Sequence, residues 1–437
     1  MKNKVFGNLS NIHFIGIGGI GISALAGLLF SLGKNISGTE DNESPETLDT
    51  LRAKGVKISL GLDPLKLPLA ACYIYSDAWL SNHPEIINEA KKRDVPVMSY
   101  FEALGEVTNE FFLIAVAGTH GKTTTTAMVG DVLENGGLDP TVVVGSLRSV
   151  SGSNFRKGES EYFVVEADEY LRHFLNLSPR ILVITNIEED HLDYYKNLKD
   201  IESAFLVLAN KVPQSGFIVC DSKDETVARI VKGAQAKIID YNKFLFKVPK
   251  LLMPGLHNRK NAAVALAIAK VMGIKPQDSI GALTKFGGTW RRFEYRGETK
   301  NGMVLYDDYA HHPTEIMATL SGARELFPNK KITVIFQPHL YSRTKILLYQ
   351  FGGAFSLADE ALILPIYAAR EKPDSTISSA ILAEEIIKQG TNAKYVSTFD
   401  DATDYILENG KKGDLLITMG AGNVYKAGEM VGLVRKL

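Results

Sequence analysis

Two glycine-rich turns, each behind an apolar run and ahead of a helix-like segment, restrict this 437-residue chain more than any other feature. The first lies in HFIGIGGIGISALAG, starting at His13, with Gly16, Gly18 and Gly21 in G-x-G-x-x-G spacing. The second is AGTHGKTTTT, residues 117–126. Strand, tight turn and helix in succession bring backbone N–H groups and the positive end of a helix to one spot, which favours a phosphate. Such units call for parallel sheets with helices on their faces.

The first loop on its own suits a nicotinamide enzyme, since Glu40 and Asp41 follow where the ribose-binding acid would stand. The second loop makes a plain oxidoreductase a poor fit. Lys122 can place its charge on the β- and γ-phosphates, and Thr123 offers a hydroxyl to Mg²⁺. The loop is shorter than the full G-x-x-x-x-G-K-[ST] pattern, because Val116 stands where its first glycine would fall. A solvated turn with a stray lysine is the plain alternative, and the order of strand, turn and helix tells against it.

The apolar runs divide the chain into an expected three domains, at residues 1–107, 108–293 and 294–437. Strands are expected at 12–17, 71–76 and 95–100 in the first. In the second they are expected at 111–117, 162–167, 180–186 and 215–220, with a helix at 258–273. In the third they fall at 303–309, 331–338, 360–366 and 414–422. A formal net charge of −1 gives no global pull toward nucleic acid. Cys72 and Cys220 are too few and too far apart for a disulfide framework or a zinc site. Five glycines interrupt the apolar stretch 14–30, which is also short for a membrane span.

Carboxylates and histidines gather at the expected strand ends, where open α/β sheets bind ligands. VVEADE supplies Glu166, Asp168 and Glu169, and TNIEEDHLDYY supplies Glu188, Asp190 and His191. Glu166 is an ordinary oxygen ligand for magnesium, His191 an unusual one. Asn258 and Asn261 are spaced to share one face of a helix start. They read either as an N-cap at Asn258 or as nucleotide contacts. Arg291 and Arg292 read as a surface patch or a phosphate clamp. Asp308, His311, His339 and Arg343 follow two further strands, an edge suited to an anionic substrate.

GTHGKTT, EADE, TNIEEDH, HNRKNA, RRF, DDYAHHPTE and QPHLYSRT occur in this order along the chain. With these motifs the sequence resembles the Mur ligases, over nearly its whole length, and most closely their alanine-adding branch. The resemblance implies three α/β domains, each on a mainly parallel sheet flanked by helices. The N-terminal and C-terminal domains would be Rossmann-like and the central one a P-loop-type ATPase. It implies an ATP-dependent amide ligase of cytoplasmic peptidoglycan synthesis, with UDP-N-acetylmuramate, L-alanine and ATP as substrates and Mg²⁺ as cofactor. No nucleic-acid or membrane partner is expected, and the protein would be a monomer or homodimer. A degenerate, non-catalytic nucleotide sensor is the rival reading, against which the complete set of ATP-site residues argues.

Carried over motif by motif, the resemblance gives each residue an expected role. Gly16, Gly18, Gly19, Gly21 and Ser23 would hold the UDP diphosphate. Gly118, Thr119, His120, Gly121, Lys122, Thr123 and Thr124, with Asn258, Asn261, Arg292 and Asp308, would contact ATP. Thr123, Glu166 and His191 would ligate magnesium, and Lys122, Glu166 and His191 would be the catalytic group. Tyr309, His311 and Arg343 would line the amino-acid site. Two stretches depart from the family pattern: YLRHFL (170–175) stands where many relatives have Ser-Asp, and SGTED (37–41) where Gly-Ser-Asp is usual.

Overall fold

Runs such as FLIAVA, ILVI, ITVIF and LLITM carry no polar alternation, so each must be covered on both faces, as in the middle of a parallel sheet. The computed structural model describes residues 6–7, 9–41, 46–369 and 371–434, and places these runs at the centres of its sheets.

The first sheet comprises β1 (Asn11–Ile15), β2 (Asn35–Glu40), β3 (Lys57–Leu60), β4 (Cys72–Tyr75) and β5 (Val97–Ser99). Its order is β3-β2-β1-β4-β5, all parallel. The second comprises β6 (Phe112–Ala117), β7 (Thr141–Arg148), β8 (Ser153–Arg156), β9 (Tyr162–Glu166), β10 (Ile181–Ile184), β11 (Phe217–Cys220) and β12 (Lys237–Asp240). It runs β12-β11-β10-β6-β9-β7-β8, with only the β7–β8 hairpin antiparallel. The third comprises β13 (Glu294–Thr299), β14 (Val304–Asp308), β15 (Ile332–Phe336), β16 (Glu360–Ile363), β17 (Asn392–Tyr395), β18 (Leu415–Met419) and β19 (Leu433–Val434). Its order is β17-β16-β15-β18-β14-β13-β19, parallel except where β13 meets β14 and β19.

The strands are shorter than the apolar runs that announce them. Residues 185–186, 337–338 and 420–422 continue those runs as loops. At these ends the backbone turns out of the sheet, and the polar and glycine residues there are the ones that meet ligands. The β7–β8 hairpin and the antiparallel β13 have no counterpart among the sequence expectations. Both lie toward a sheet edge, and polar residues break their alternation.

The chain packs as two compact units. One holds the first two sheets, in the described residues up to 250 together with 260–286. The other holds the third sheet, in residues 251–259 and from 287 onward. The first unit is continuous because one apolar core runs through both of its sheets, including Phe14, Leu25, Phe155, Phe163 and Phe205. Helix Ile20–Ser31 lies against the β7–β8 hairpin so closely that a Cβ on Gly27 would sit 2.4 Å from the Phe155 ring. Residues 170–176 add a second tie. Leu171 and Arg172 have positive φ (51° and 59°), which turns the His173 ring onto Phe101, 3.7 Å between centroids.

Cys72 and Cys220 are buried in β4 and β11, and burial pushes each thiol up to about 12. Among the described residues no helix is long and apolar enough to cross a membrane.

Phe205 meets Phe174 edge-on at 5.0 Å in the first unit's core. Phe205→Ala should therefore cost about 4 kcal/mol of stability, through lost burial and a cavity that the sheet cannot collapse. Urea unfolding of the two proteins measures it.

Candidate active site

The second glycine loop joins β6 to helix Lys122–Asn135. Its shape is dictated by contact with the end of β10. Gly118 has φ 134°, and a Cβ there would lie 2.0 Å from the Thr185 hydroxyl oxygen. Thr185 donates from that hydroxyl to the His120 carbonyl at 2.7 Å. Asn186 accepts from His120 N–H at 2.9 Å and returns its amide to the His120 carbonyl at 3.0 Å. Thr119 N–H donates to the Asn186 carbonyl at 3.0 Å, and the Thr119 hydroxyl accepts from Glu188 N–H at 2.9 Å. Gly121, at φ 80°, leaves room for Asn261, whose Oδ1 would be 2.8 Å from a Cβ there. Thr124 is buried in the first turn of the helix.

Lys122 opens the helix and folds its ammonium back over the loop, donating to the Gly118 and Thr119 carbonyls at 2.7 and 3.1 Å. Its ion partner is Glu169, 2.8 Å away and buried. The cluster of Glu169, Asp168 and Glu166 holds Lys122 above its ordinary value despite burial. Burial pushes the Glu169 carboxyl up, against the pull of Lys122. The Thr123 hydroxyl donates to Glu166 Oε1 at 3.0 Å, and Gly145 N–H donates to Glu166 Oε2 at 2.9 Å. His191, at φ 52°, brings Nε2 to 3.9 Å from Glu169 Oε1.

Lys122, Thr123 and Glu166 thus stand at one loop, and His191 joins them through Glu169. Asp168, Glu169 and His191 can each offer a ligand atom within 4.8 Å of the others. Two carboxylates and one imidazole make a mainly oxygen donor set, which fits a hard divalent cation such as Mg²⁺.

The first loop is more committed than its motif implies. Gly16 and Ile17 N–H both donate to the Thr39 carbonyl, at 2.8 and 3.3 Å. Gly18 N–H donates to Glu40 Oε2 at 2.6 Å, and the Gly18 carbonyl accepts from the Thr47 hydroxyl at 2.7 Å. Gly16 has φ 75° and faces the Trp79 indole, 2.4 Å from a would-be Cβ, so it serves the turn and its packing. Ser23 is buried; its hydroxyl donates back to the Ile20 carbonyl at 2.9 Å and accepts from Asn154 at 2.9 Å. The preceding turn and Asn154 thus satisfy this hydroxyl within the protein. Gly19 and Gly21 remain at the helix start, with the Tyr100 ring 2.9 Å from a would-be Cβ on Gly21.

In the second unit, the reading of Arg291 as part of a surface patch is overturned. Its guanidinium is buried, pairs with Asp307 at 2.7 Å, and donates to the Gly422 and Gly420 carbonyls at 2.8 and 2.6 Å. Arg292 lies over the Tyr309 ring, 5.0 Å from its centroid. Asp308 spends both oxygens on backbone, from Phe293 N–H at 2.6 Å and Ala310 N–H at 2.7 Å. Burial lifts its carboxyl to about 6 against the pull of Arg292. His311 Nδ1 lies 3.0 Å from the Tyr309 carbonyl, which makes it the N–H side of the neutral ring. Arg343 Nη1 is 3.2 Å from His339 Nδ1, and the His339 ring stacks on Tyr367. Tyr309, His311 and Arg343 therefore share one face of this unit with His339. Asn258 is not an N-cap: helix Leu256–Val271 has already begun, and the Asn258 amide donates to the Pro254 carbonyl at 2.8 Å.

Three family models match in sequence along the chain. They are the Mur ligase family catalytic domain at residues 11–112, the Mur ligase middle domain at 116–247 and the Mur ligase glutamate ligase domain at 291–422. The chain belongs to the Mur ligase family. A UDP-N-acetylmuramate–L-alanine ligase of Clostridium botulinum is 41% identical to it over 457 aligned residues, covering 98% of this chain and 97% of the relative. The crystal structure of the UDP-N-acetylmuramate–alanine ligase MurC from Thermotoga maritima superposes with a TM-score of 0.78 at 29% identity, covering 96% and 98% of the two chains. A murein peptide ligase of Psychrobacter arcticus gives 0.71 at 25% identity, covering 98% and 99%.

Within this Mur ligase the sequence marks Glu169 only as one of three strand-end acids, without its pairing to Lys122, and gives no role to Asn186, the amide that shapes the loop. Both stood in quoted motifs, EADE and TNIE. The usable signal was a second acid placed to point back from the strand end, and an amide directly after a buried strand. Glu40 was noted for its distance from the first loop, but its bond to Gly18 N–H was not foreseen.

Burial raises the Glu40 carboxyl from 4.5 to about 7, with Asp41 beside it adding to the shift. The folded chain therefore keeps a proton that the unfolded chain has released between those values. That contribution to stability is complete below pH 4.5 and is lost as pH rises through about 7. Glu40→Gln keeps an acceptor for Gly18 N–H without the ionisation. Its urea midpoint should fall less than that of the wild type between pH 5 and pH 8.

Proposed function

We infer that this chain is an ATP-dependent amide ligase of peptidoglycan precursor synthesis, joining L-alanine to the lactyl carboxylate of UDP-N-acetylmuramate and giving ADP and phosphate. The reading rests on one observation: near-full-length likeness to ligases of that name in a chain whose phosphate loop carries a buried, ion-paired lysine.

A carboxylate is a poor electrophile, so it needs a leaving group before an amine can displace oxygen. In this reading the lactyl carboxylate oxygen attacks the γ-phosphorus of ATP and ADP departs, leaving an acyl phosphate. The amine of alanine then attacks the acyl carbon, loses a proton, and the tetrahedral intermediate expels phosphate as the amide forms. The protein's share is positioning and charge compensation. Lys122 meets the charge on the transferring phosphoryl group, and the N–H groups of residues 118–124 cradle the phosphates. Asn261 faces the loop from its helix, and Asn258, Arg292 and Asp308 are assigned to the nucleotide. Thr123, Glu166 and His191 would hold Mg²⁺, which supplies further charge compensation when bound. Gly16, Gly18, Gly19, Gly21 and Ser23 are assigned to the UDP diphosphate. Arg343 would fix the alanine carboxylate as a bidentate pair, beside Tyr309 and His311.

The labour would divide at the boundaries drawn from the sequence: residues 1–107 for the UDP-substrate, 108–293 for ATP and 294–437 for the amino acid. UDP-linked precursors and ATP place the work in the cytoplasm.

Phosphate release should require UDP-N-acetylmuramate, ATP and an amino acid together, with alanine preferred over serine and glycine. Lys122→Ala should lower kcat by roughly a thousandfold or more, while binding of the UDP-substrate by calorimetry is retained. Arg343→Ala should raise the KM for alanine about a hundredfold and leave that for ATP near its starting value. Phosphate release without the UDP-substrate, or full turnover by the Lys122 variant, would sink the assignment.

A further inference from the structure

We propose that Asn154, on the β7–β8 hairpin, is a positioning residue that sets the first glycine loop against the carboxylate of the second. The proposal rests on the reading that the first loop receives the UDP diphosphate.

Asn154 lies in β8 and is buried. Its amide donates to the Ile20 carbonyl at 2.6 Å and to the Ser23 hydroxyl at 2.9 Å. Ile20 is the first residue of the helix that follows the first loop, so these two bonds hold the turn presenting Gly19 and Gly21. A helix carbonyl can accept beyond its own ladder bond, and here the amide and the Ser23 hydroxyl share that capacity. Ser23 completes a triangle by donating to the same carbonyl.

The facing strand of the hairpin reaches the ATP side. Gly145, in β7, donates its N–H to Glu166 Oε2 at 2.9 Å, and a Cβ at Gly145 would lie 2.5 Å from that oxygen. Glu166 in turn accepts from Thr123 on the second loop. One hairpin therefore bonds the helix that follows the first loop, through Asn154, and the carboxylate that meets Thr123, through Gly145.

The hairpin is stiff enough to transmit position. Arg148 is buried and pairs with Asp131 at 2.5 Å and Glu134 at 3.1 Å, both on helix Lys122–Asn135. Arg156 pairs with Glu134 at 3.0 Å and Asp139 at 2.6 Å and donates to the Pro140 carbonyl. Phe155, next to Asn154, seats over Gly27 of the first-loop helix. The phosphoryl-transfer step needs the sugar's carboxylate in line with the γ-phosphate, so the spacing between the two loops is itself a catalytic parameter.

The test is steady-state phosphate release by the wild type, Asn154→Ala, Asn154→Asp and Ser23→Ala, with each substrate varied in turn. Asn154→Ala should raise the KM for UDP-N-acetylmuramate about tenfold, and leave those for ATP and alanine within about twofold. Asn154→Asp, which sets a carboxylate against a carbonyl, should be worse in the same direction. Ser23→Ala keeps the bond to Ile20 and should give a smaller rise, about threefold. It carries the test if the Asn154 variants do not fold. A residue that only stabilised the fold would lower the thermal midpoint and the active fraction, and with it apparent kcat, leaving every KM in place. That result overturns the proposal while the ligase reading stands. A wild type that releases no phosphate with all three substrates would overturn the ligase reading and this inference with it.

Discussion

The buried ion pair between Lys122 and Glu169 organises the catalytic half of this molecule. A lysine taken out of water beside a glycine loop needs an anion, and Glu169 supplies it at 2.8 Å. To reach that place the carboxylate must leave the end of β9 and pass under the loop, which fixes the course of residues 166–169. The same geometry gives Glu166 to Thr123 and brings His191 within reach of Glu169. A protein that binds polyphosphate keeps such a lysine charged by surrounding it with acids, so that its charge is present before the nucleotide arrives.

The loop itself is shaped from outside. At Gly118, Thr185 and Asn186 at the end of the neighbouring strand occupy the space a side chain would need, and at Gly121 Asn261 does. Two adjacent strands thus define the cradle, one by supplying the loop and the other by pressing on it. In the first loop the pressure comes from Trp79, Thr39 and Glu40, and there it consumes N–H groups that a bare motif would promise to a ligand.

Much of this was legible in the amino-acid order. The buried strands announce themselves as unbroken apolar runs, and the strand–turn–helix loops carry glycine where the backbone needs positive φ. The motif order sufficed for the family. What the sequence concealed were side chains whose role depends on distant neighbours. Arg291 and Arg292 look alike in the chain, yet one threads among Asp307, Gly420 and Gly422 while the other covers Tyr309. Ser23 follows the glycine loop as a ligand residue would, and only the position of Asn154, far along the chain, shows that its hydroxyl is bonded within the protein. The β7–β8 hairpin escaped because its strands alternate poorly, although it joins two sheets into one core.

The two thiols of this chain have a consequence of their own. Cys72 closes one sheet's interior and Cys220 another's, and neither is a thiolate at neutral pH in the folded state. Alkylating reagents and peroxide meet no nucleophilic sulfur until a strand lifts away. Labelling of either position, read by peptide mass, is thus a built-in gauge of local opening, one dial for β4 and one for β11, with no engineered probe required.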